Sequence, residues 1–169
     1  MSEYAVQVAV TPTTSFESFV ASNGSSLAGF ALMVTGNRQD AQDIVQDALI
    51  AVYPRWQRLS ESGDPLAYVR RSIVNRQISL RRKLYRLVAL GDREPASADP
   101  TVRLADADWA LSLVGRLPDR QRIAVILRVM EDRSFAEVAE LLGVSEANAR
   151  KLVSRGVAAL RTHLSEGEL

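Results

Sequence analysis

Polar and basic side chains recur on one face of a stretch near the C-terminus, residues 134–156, and their types are those that bind nucleic acid. Arginine and asparagine carry the donors and acceptors that distinguish guanine and adenine edges, and arginine and lysine hold phosphates. At this spacing they would share one face of a helix that fits the major groove of duplex DNA. An ordinary helical hairpin with a solvated basic face is the alternative explanation. The residues concerned are Asn148, Arg150, Lys151, Ser154 and Arg155, and Glu146 suits the positive N-terminal end of the same helix.

Two helices joined by a tight turn are predicted to hold this face. Ser134 and Glu137 have the spacing of a capping box, which marks the start of the first helix. Gly143 supplies the left-handed backbone that ends it, and Ser145 can cap the second helix. The pattern is therefore a helix–turn–helix. The residues predicted to face inward are Phe135, Val138, Ala139 and Leu142 in the first helix, and Ala149, Leu152, Val153, Gly156, Val157 and Leu160 in the second.

A second basic surface is predicted on a helix that begins at Asp64 and Pro65 and runs to about Leu84. Residues 65–91 carry seven basic groups and no acid, so this surface should attract phosphates in a salt-dependent way. An aromatic ring and an amide on the same helix favour single-stranded or melted nucleic acid; a membrane surface is the alternative partner. The basic surface comprises Arg70, Arg71, Asn75, Arg76, Arg81, Arg82 and Lys83, with Tyr68 near the start of the helix, and the inward residues are Leu66, Val69, Ile73 and Leu80.

Upstream, the predicted helix 38–58 carries an acidic face. Asp40, Asp43 and Asp47 stand at positions i, i+3 and i+7 with Gln46 between them. Three carboxylates on one face can hold a divalent metal, but such a site needs more oxygen ligands than the sequence offers nearby. A docking face for a basic partner helix is therefore favoured over a metal site and over a solvated acidic face. The apolar stripe of this helix is predicted to comprise Ile44, Val45, Ala48, Leu49, Val52, Tyr53 and Trp56.

The rest of the chain predicts an all-α protein of two small helical domains. Before residue 38, two short helices are expected on either side of a break at residues 23–26, and after Pro118 a helix with Ile123, Ile126, Leu127 and Met130 inward. With no cysteine and one histidine, the sequence offers no disulfide framework, thiolate site or multi-histidine site, so neither metal nor cofactor is expected. No apolar run is long enough to span a membrane and no signal peptide is visible. We therefore expect a cytoplasmic protein without membrane insertion.

The order of acidic helix, basic helix, acidic linker and helix–turn–helix resembles the sigma-70 family of bacterial initiation factors, in particular its small extracytoplasmic-function members. Three stretches carry the resemblance: DAQDIVQDAL at 40–49, AYVRRSIVNR at 67–76, and the segment 117–161 that opens with LPDRQR. The resemblance implies an N-terminal arm at 1–14, region 2 at 15–84, an acidic, flexible linker at 85–107 and region 4 at 108–165. It departs from the family pattern at Leu152, where arginine is common, and at Tyr68, where tryptophan is common.

The resemblance also implies partners for each surface. Region 2 would dock on the β′ clamp helices of core RNA polymerase, region 4 would meet the β flap, and an anti-sigma factor is a further partner left open. The residues that would bind core polymerase are Asp40, Asp43, Ile44, Gln46 and Asp47. Those that would bind the melted −10 element, one of whose bases is flipped out, are Trp56, Tyr68, Arg70, Arg71, Asn75, Arg76, Arg81 and Arg82. Those that would bind duplex DNA at −35 are Glu146, Asn148, Arg150, Lys151, Ser154 and Arg155.

A dimeric helix–turn–helix regulator is the alternative function. It requires a dimerisation surface and a palindromic operator, and it gives no role to residues 40–84. An enzyme that uses the aspartates at 40, 43 and 47 lacks a general base, a nucleophile or a phosphate loop at any plausible position. The sequence therefore favours a binding protein without catalytic activity.

Overall fold

The computed structural model describes residues 14–88 and 113–166, and the regular elements in these ranges are all helical. This confirms the predicted all-α class. Most of the predicted arm and most of the predicted linker lie outside the described residues. The elements are α1 Phe16–Thr35, α2 Arg38–Val52, a 3₁₀ turn Tyr53–Arg55, α3 Trp56–Ser62, α4 Pro65–Val88, α5 Asp119–Val125, a π-helical turn Ile126–Met130, α6 Phe135–Leu142 and α7 Glu146–Glu166.

Helices α1 to α4 form the first bundle, in which α1, α2 and α4 pack on one another. Each helix contributes side chains with no exposed surface to a shared core: Leu27 and Val34 from α1, Ala48 and Val52 from α2, Val69 and Ile73 from α4. Their recurrence every three or four residues is the apolar stripe by which a helix buries one side.

Helix α1 is one continuous helix, so the predicted break at residues 23–26 is wrong. The side chain of Asn23 donates to the Phe19 carbonyl oxygen at 2.9 Å, which keeps it within the helix. Gly24 has no neighbouring heavy atom within 4 Å of an added Cβ, so it marks no close approach. Packing of α1 against α2 and α4 outweighs the low helix propensity of this segment, as tertiary contacts commonly do.

Helices α5 to α7 form the second bundle, which contains the helix–turn–helix. The capping box is confirmed: the Ser134 hydroxyl accepts from the Glu137 N–H, and the Glu137 carboxylate accepts from the Ser134 N–H. Gly143 has the left-handed φ of 64° and ends α6 as predicted. The Ser145 hydroxyl accepts from the Asn148 N–H at 3.2 Å and caps α7. Local sequence signals therefore place both helices of the motif.

Three side chains predicted to face inward are exposed instead: Tyr53 by 59%, Leu80 by 57% and Met130 by 49%. Tyr53 lies in the 3₁₀ turn that Pro54 introduces, which rotates it away from the stripe that continues at Trp56. At the level of Leu80, the buried side of α4 is the side carrying Ile78, which lines a small cavity with residues of the second bundle. Met130 ends the π-helical turn, whose extra residue moves the end of that helix off the core side.

Candidate nucleic-acid interface

Helix α7 presents the predicted groove-binding residues on its exposed side. Ala149, Val153 and Gly156 are buried against the rest of the bundle. The outward side chains are all exposed, and four of them surround one open, shallow depression. The geometry therefore offers several donors on one face of a rigid helix. The exposed residues are Glu146, Asn148, Arg150, Lys151, Ser154 and Arg155, of which Arg150, Lys151, Ser154 and Arg155 surround the depression.

Arg150 has a defined position on this face. Its guanidinium pairs with the Glu146 carboxylate at 2.5 Å, and its Cζ lies 4.4 Å from the centroid of the Phe135 ring. The Cζ of Arg128 lies over the same ring at 5.2 Å. Cation–π contacts of this kind are worth about 0.5–1 kcal/mol at exposed sites. Sequence reasoning assigned Phe135 only to the core and missed Arg128, because these contacts join different helical elements and leave no trace in helical periodicity.

The capping box sets the ionisation of its own acid. The hydrogen bond from the Ser134 N–H, assisted by the Ser134 hydroxyl and the Arg133 guanidinium, lowers the pKa of Glu137 below its ordinary value. Arg133 lies 3.1 Å from that carboxylate. Glu137 therefore stays ionised, and accepts the hydrogen bond at the start of the helix–turn–helix, at lower pH than an ordinary glutamate would.

The basic side of α4 is partly occupied by contacts within the first bundle. Arg70 donates to the Ser26 hydroxyl at 3.1 Å and lies over the Phe30 ring. Arg76 donates to the Asp47 carbonyl oxygen at 3.2 Å and lies 3.7 Å from its carboxylate. These contacts hold the two arginines beside α1 and α2, whereas Asn75 is exposed.

The other arginines of α4 contact the second bundle. Arg81 lies 2.9 Å from the Asp119 carboxylate, and Arg71 lies 3.9 Å from Glu131. Arg82 donates to the carbonyl oxygen of Glu140 at 2.8 Å and also to that of Leu141. Both carbonyls lie in the last turn of α6, and that of Glu140 also accepts from the Gly143 N–H at 3.2 Å. The guanidinium therefore adds to the C-terminal cap of α6 from the other bundle.

Arg122 makes the reciprocal contact from the second bundle. Its side chain is fully buried, and its Nε and Nη2 donate to the carbonyl oxygens of Val34 and Thr35, each at 3.1 Å. Its Nη1 donates to the carbonyls of residues 115 and 117, and Nη2 also pairs with Asp119. All three nitrogens of the guanidinium donate in the contacts described, which is what a buried cation with five N–H donors requires. Sequence reasoning assigned Arg122 no role, because its partners at the end of α1 are about half the chain away.

The structure places Trp56 and Ile44, both predicted to contact partners, in the core. Trp56 is 8% exposed, its indole N–H donates to the Thr14 carbonyl at 3.0 Å, and its ring packs against Phe16 and Phe19. Ile44 is 3% exposed on the inner side of α2. Tyr68 is half-buried, and its hydroxyl accepts from Arg55 at 3.2 Å. Trp56 and Ile44 therefore pack in the core beneath the predicted binding surfaces and do not form part of the exposed surface.

The outer side of α2 combines acidic and apolar groups. Asp40 and Asp43 are exposed, and each accepts a hydrogen bond only from a neighbour one turn earlier, among the contacts described. Gln46 is exposed beside them, and one turn further lies Ile50, which is 62% exposed. Tyr53 extends this exposed apolar surface, which sequence reasoning missed. Exposed apolar groups with a polar rim are typical of protein–protein interfaces. No described helix is long and apolar enough to cross a membrane.

Comparison with known proteins gives matches over both bundles. The family model described as Sigma-70 region 2 matches residues 19–87, and that described as Sigma-70, region 4 matches residues 107–160. The RNA polymerase sigma-E factor of Streptomyces avermitilis is 30% identical over 156 residues, which cover 91% of this chain and 87% of the relative.

Two further matches differ in what they cover. The ECF RNA polymerase sigma factor SigJ of Mycobacterium tuberculosis is 36% identical over 143 residues, covering 76% of this chain and 45% of the relative. Among solved structures, the sigma factor RpoE in complex with the anti-sigma factor NepR from Bartonella quintana has a TM-score of 0.58 at 22% identity, over 89% of this chain and 96% of that one. The structural match concerns the arrangement of the helices.

Proposed function

Since the chain belongs to the sigma-70 family, in its extracytoplasmic-function branch, and is an RNA polymerase sigma factor with core polymerase and promoter DNA as partners, we propose that it meets them through three separate surfaces. One binds polymerase, one binds the melted −10 strand and one binds the −35 duplex. We assign region 2 to 15–84, a linker to 85–107 and region 4 to 108–165, after an arm at 1–14. Sigma factors are initiation factors without enzymatic activity, and we extend that to this chain.

The polymerase surface is the outer side of α2, and its composition carries the proposal. Exposed Asp40, Asp43 and Gln46 stand beside exposed Ile50 and Tyr53, so a basic partner helix finds charge pairing at the rim and apolar contact next to it. A regulator that only binds DNA has no use for an acidic face. The β′ clamp helices are the proposed partner. Asp47 adds negative charge to this surface, part of which is neutralised by its ion pair with Arg76.

The −10 surface is the exposed side of α4 together with the segment 56–64, which begins at the buried Trp56. Asn75 offers amide donors and acceptors to a base edge, and the half-buried Tyr68 offers a ring. Trp56, with Phe16 and Phe19, forms an aromatic layer beneath this segment. Flipping a base out of the stack costs a few kcal/mol, and a rigid pocket returns more of that energy than a mobile one.

The −35 surface is the outer side of α7. Arg150 is held between Glu146 and the Phe135 ring, which suits a bidentate contact to a guanine. Lys151 and Arg155 suit phosphates, while Asn148 and Ser154 are placed to reach base edges. Region 4 would also meet the β flap of polymerase. The protein would act in the cytoplasm with polymerase, and the complex of its structural relative with an anti-sigma factor makes such a factor a candidate partner.

The polymerase surface can be tested with one charge reversal and a matched control. Asp43→Lys should weaken the complex with bacterial core RNA polymerase by about tenfold, equivalent to about 1.4 kcal/mol, because it puts a repelling charge opposite a basic helix. Glu17→Lys reverses an exposed acid in the first turn of α1 and should bind like wild type. Binding is measured by size-exclusion chromatography and fluorescence anisotropy at moderate salt.

Equal affinity of the two variants would refute the docking role of α2. A wild-type protein that forms no polymerase complex but binds duplex DNA as a dimer would instead support the helix–turn–helix regulator.

A further inference from the structure

A contact between Arg55 and Tyr68 spans the segment 56–64, which belongs to the proposed −10 surface. The Nη1 of Arg55 donates to the hydroxyl oxygen of Tyr68 at 3.2 Å. Arg55 ends the 3₁₀ turn immediately before the segment, and Tyr68 lies in the first turn of α4 just after it. The hydrogen bond therefore links the two ends of the segment. Sequence reasoning gave Arg55 no role.

The backbone that carries Arg55 is held in place. Pro54 precedes it within the 3₁₀ turn, and the N–H of the following residue, Trp56, donates to the Tyr53 carbonyl oxygen. The Trp56 side chain is buried, and its indole N–H donates to the Thr14 carbonyl at 3.0 Å. The Arg55 side chain therefore extends from a fixed point.

The backbone that carries Tyr68 is fixed as well. Its N–H donates to the Asp64 carbonyl oxygen at 3.1 Å, and the Asp64 carboxylate accepts from the Ala67 N–H at the same distance. The half-buried ring packs against the core, whereas the hydroxyl end receives the Arg55 guanidinium. Phenylalanine and tryptophan have no hydroxyl oxygen to offer here, so the contact requires tyrosine.

An open depression lies beside Arg55. Its volume of about 430 Å³ falls within the range of about 300–1,000 Å³ that is common for small-ligand sites, so a nucleotide fits by size. Arg55 is the residue that this depression shares with the Tyr68 contact. The lining residues are Pro54, Arg55, Gln57, Arg58 and Glu61.

We propose that Arg55 is a positioning residue of the −10 surface, which holds the Tyr68 ring in the orientation in which an unpaired base stacks on it. A side chain that is already held loses less conformational freedom when its ligand binds, and a base stacks on an aromatic ring whatever its sequence. The proposal rests on the −10 role of Tyr68 proposed above. Arg55 then acts through the Tyr68 hydroxyl as well as through its charge.

The test is a double-mutant cycle that separates positioning from charge. Arg55→Ala removes the donor and the charge, Tyr68→Phe removes only the hydroxyl oxygen, and the double variant combines them. Arg161→Ala is the control, since it removes an equal charge from an exposed position of α7. Each full-length variant is combined with bacterial core RNA polymerase. The complexes are titrated with a fluorescein-labelled oligo(dT) 20-mer, and core polymerase alone gives the background.

Tyr68→Phe and Arg55→Ala should each weaken binding by about fivefold relative to the control. The double variant should bind no more than about twofold less tightly than either single variant, because both changes remove the same hydrogen bond. Tyr68→Ala, which also removes the ring, should weaken binding by about tenfold or more.

A second probe reports the ring itself. In a 12-mer of alternating thymine and 2-aminopurine, the fluorescence of 2-aminopurine falls when that base stacks on a ring. At saturation, this quenching should be smaller with Arg55→Ala than with wild type, which a loss of stability alone would not cause. Arg55→Lys keeps a donor and a charge and should restore most of the quenching. Circular dichroism establishes that each variant is folded.

Additive losses of affinity in the double variant would overturn the proposal, since Arg55 would then act by charge alone. The same holds if Arg55→Ala binds and quenches like the control while Tyr68→Ala is weakened. A failure of the proposed −10 role looks different, because Tyr68→Ala would then bind like wild type, or the wild-type complex would bind no better than core polymerase alone. Either result would remove this proposal together with that role.

Discussion

Gly156 lies where α7 crosses α5, and replacing it with alanine tests how close the two helices are. A Cβ added at Gly156 would lie 2.6 Å from the Cγ2 of Val125 and 3.4 Å from the backbone oxygen of Gln121. The first distance requires a displacement, and overpacking of this kind costs about 1–3 kcal/mol. Alanine is itself favoured over glycine within a helix by about 1 kcal/mol. We therefore expect Gly156→Ala to lower the free energy of unfolding by up to about 2 kcal/mol.

Gly24→Ala is the matched control, since it makes the same substitution inside α1. Nothing lies within 4 Å of a Cβ at Gly24, so only the propensity term applies, and a gain of about 1 kcal/mol is expected. The changes in the free energy of unfolding caused by the two substitutions should therefore have opposite signs. Urea unfolding followed by far-UV circular dichroism measures both.

Val125→Ala supplies the second half of a double-mutant cycle, because it removes the methyl group that an alanine at position 156 would meet. The double variant should be more stable than the sum of the single changes predicts, with a favourable coupling of about 1–3 kcal/mol. A Gly156→Ala variant as stable as Gly24→Ala, or a coupling near zero, would refute the close crossing of α5 and α7.

Two further predictions concern the helix–turn–helix. Arg150→Ala should weaken binding to a −35 duplex by about 1–3 kcal/mol at one base position. Phe135→Leu should weaken it less, by about 0.5–1 kcal/mol, because Arg150 loses only its ring contact. Equal binding of both variants and wild type in anisotropy titrations would count against the groove role. Because the pKa of Glu137 is lowered in the folded state, its contribution to stability is complete above the ordinary carboxyl pKa and is lost as the pH falls through the lowered value. Glu137→Gln should flatten that acid limb in urea unfolding between pH 3 and 7, and an unchanged limb would show that other carboxyl groups produce it.

Features set by neighbouring residues could be predicted from the sequence, and those set by distant ones could not. The capping box at Ser134 and the left-handed Gly143 follow from spacings of a few residues, and the structure confirms both. The continuity of α1 through Gly24 depends on packing against α2 and α4, which no local rule contains. Arg122 reaches a carbonyl 88 positions away, so its role appears only once the two bundles are assembled.

The predicted site residues divide in the same way. Those on α7 follow from one helical face, and the structure leaves them exposed as that face requires. Ile44 and Trp56 came from the family pattern, which does not distinguish a side chain that touches a partner from one that supports the surface beneath it. Tyr53 and Ile50 were missed because the 3₁₀ turn and the neighbouring helices, rather than periodicity, decide which side of α2 is open.

The reciprocal arginines, Arg82 at the end of α6 and Arg122 at the end of α1, bear on how easily the two bundles part. Carbonyl oxygens at a helix end are equally well solvated by water, so separation exchanges protein hydrogen bonds for hydration at little net enthalpy. Each of these bonds has a charged donor and contributes about 1.5–3 kcal/mol net, whereas a partly exposed ion pair contributes about 0–1 kcal/mol. The closure therefore depends more on the two reciprocal arginines than on the surface ion pairs. The population of molecules in which the two bundles are packed together becomes a property that salt, partners or single charge changes are able to tune.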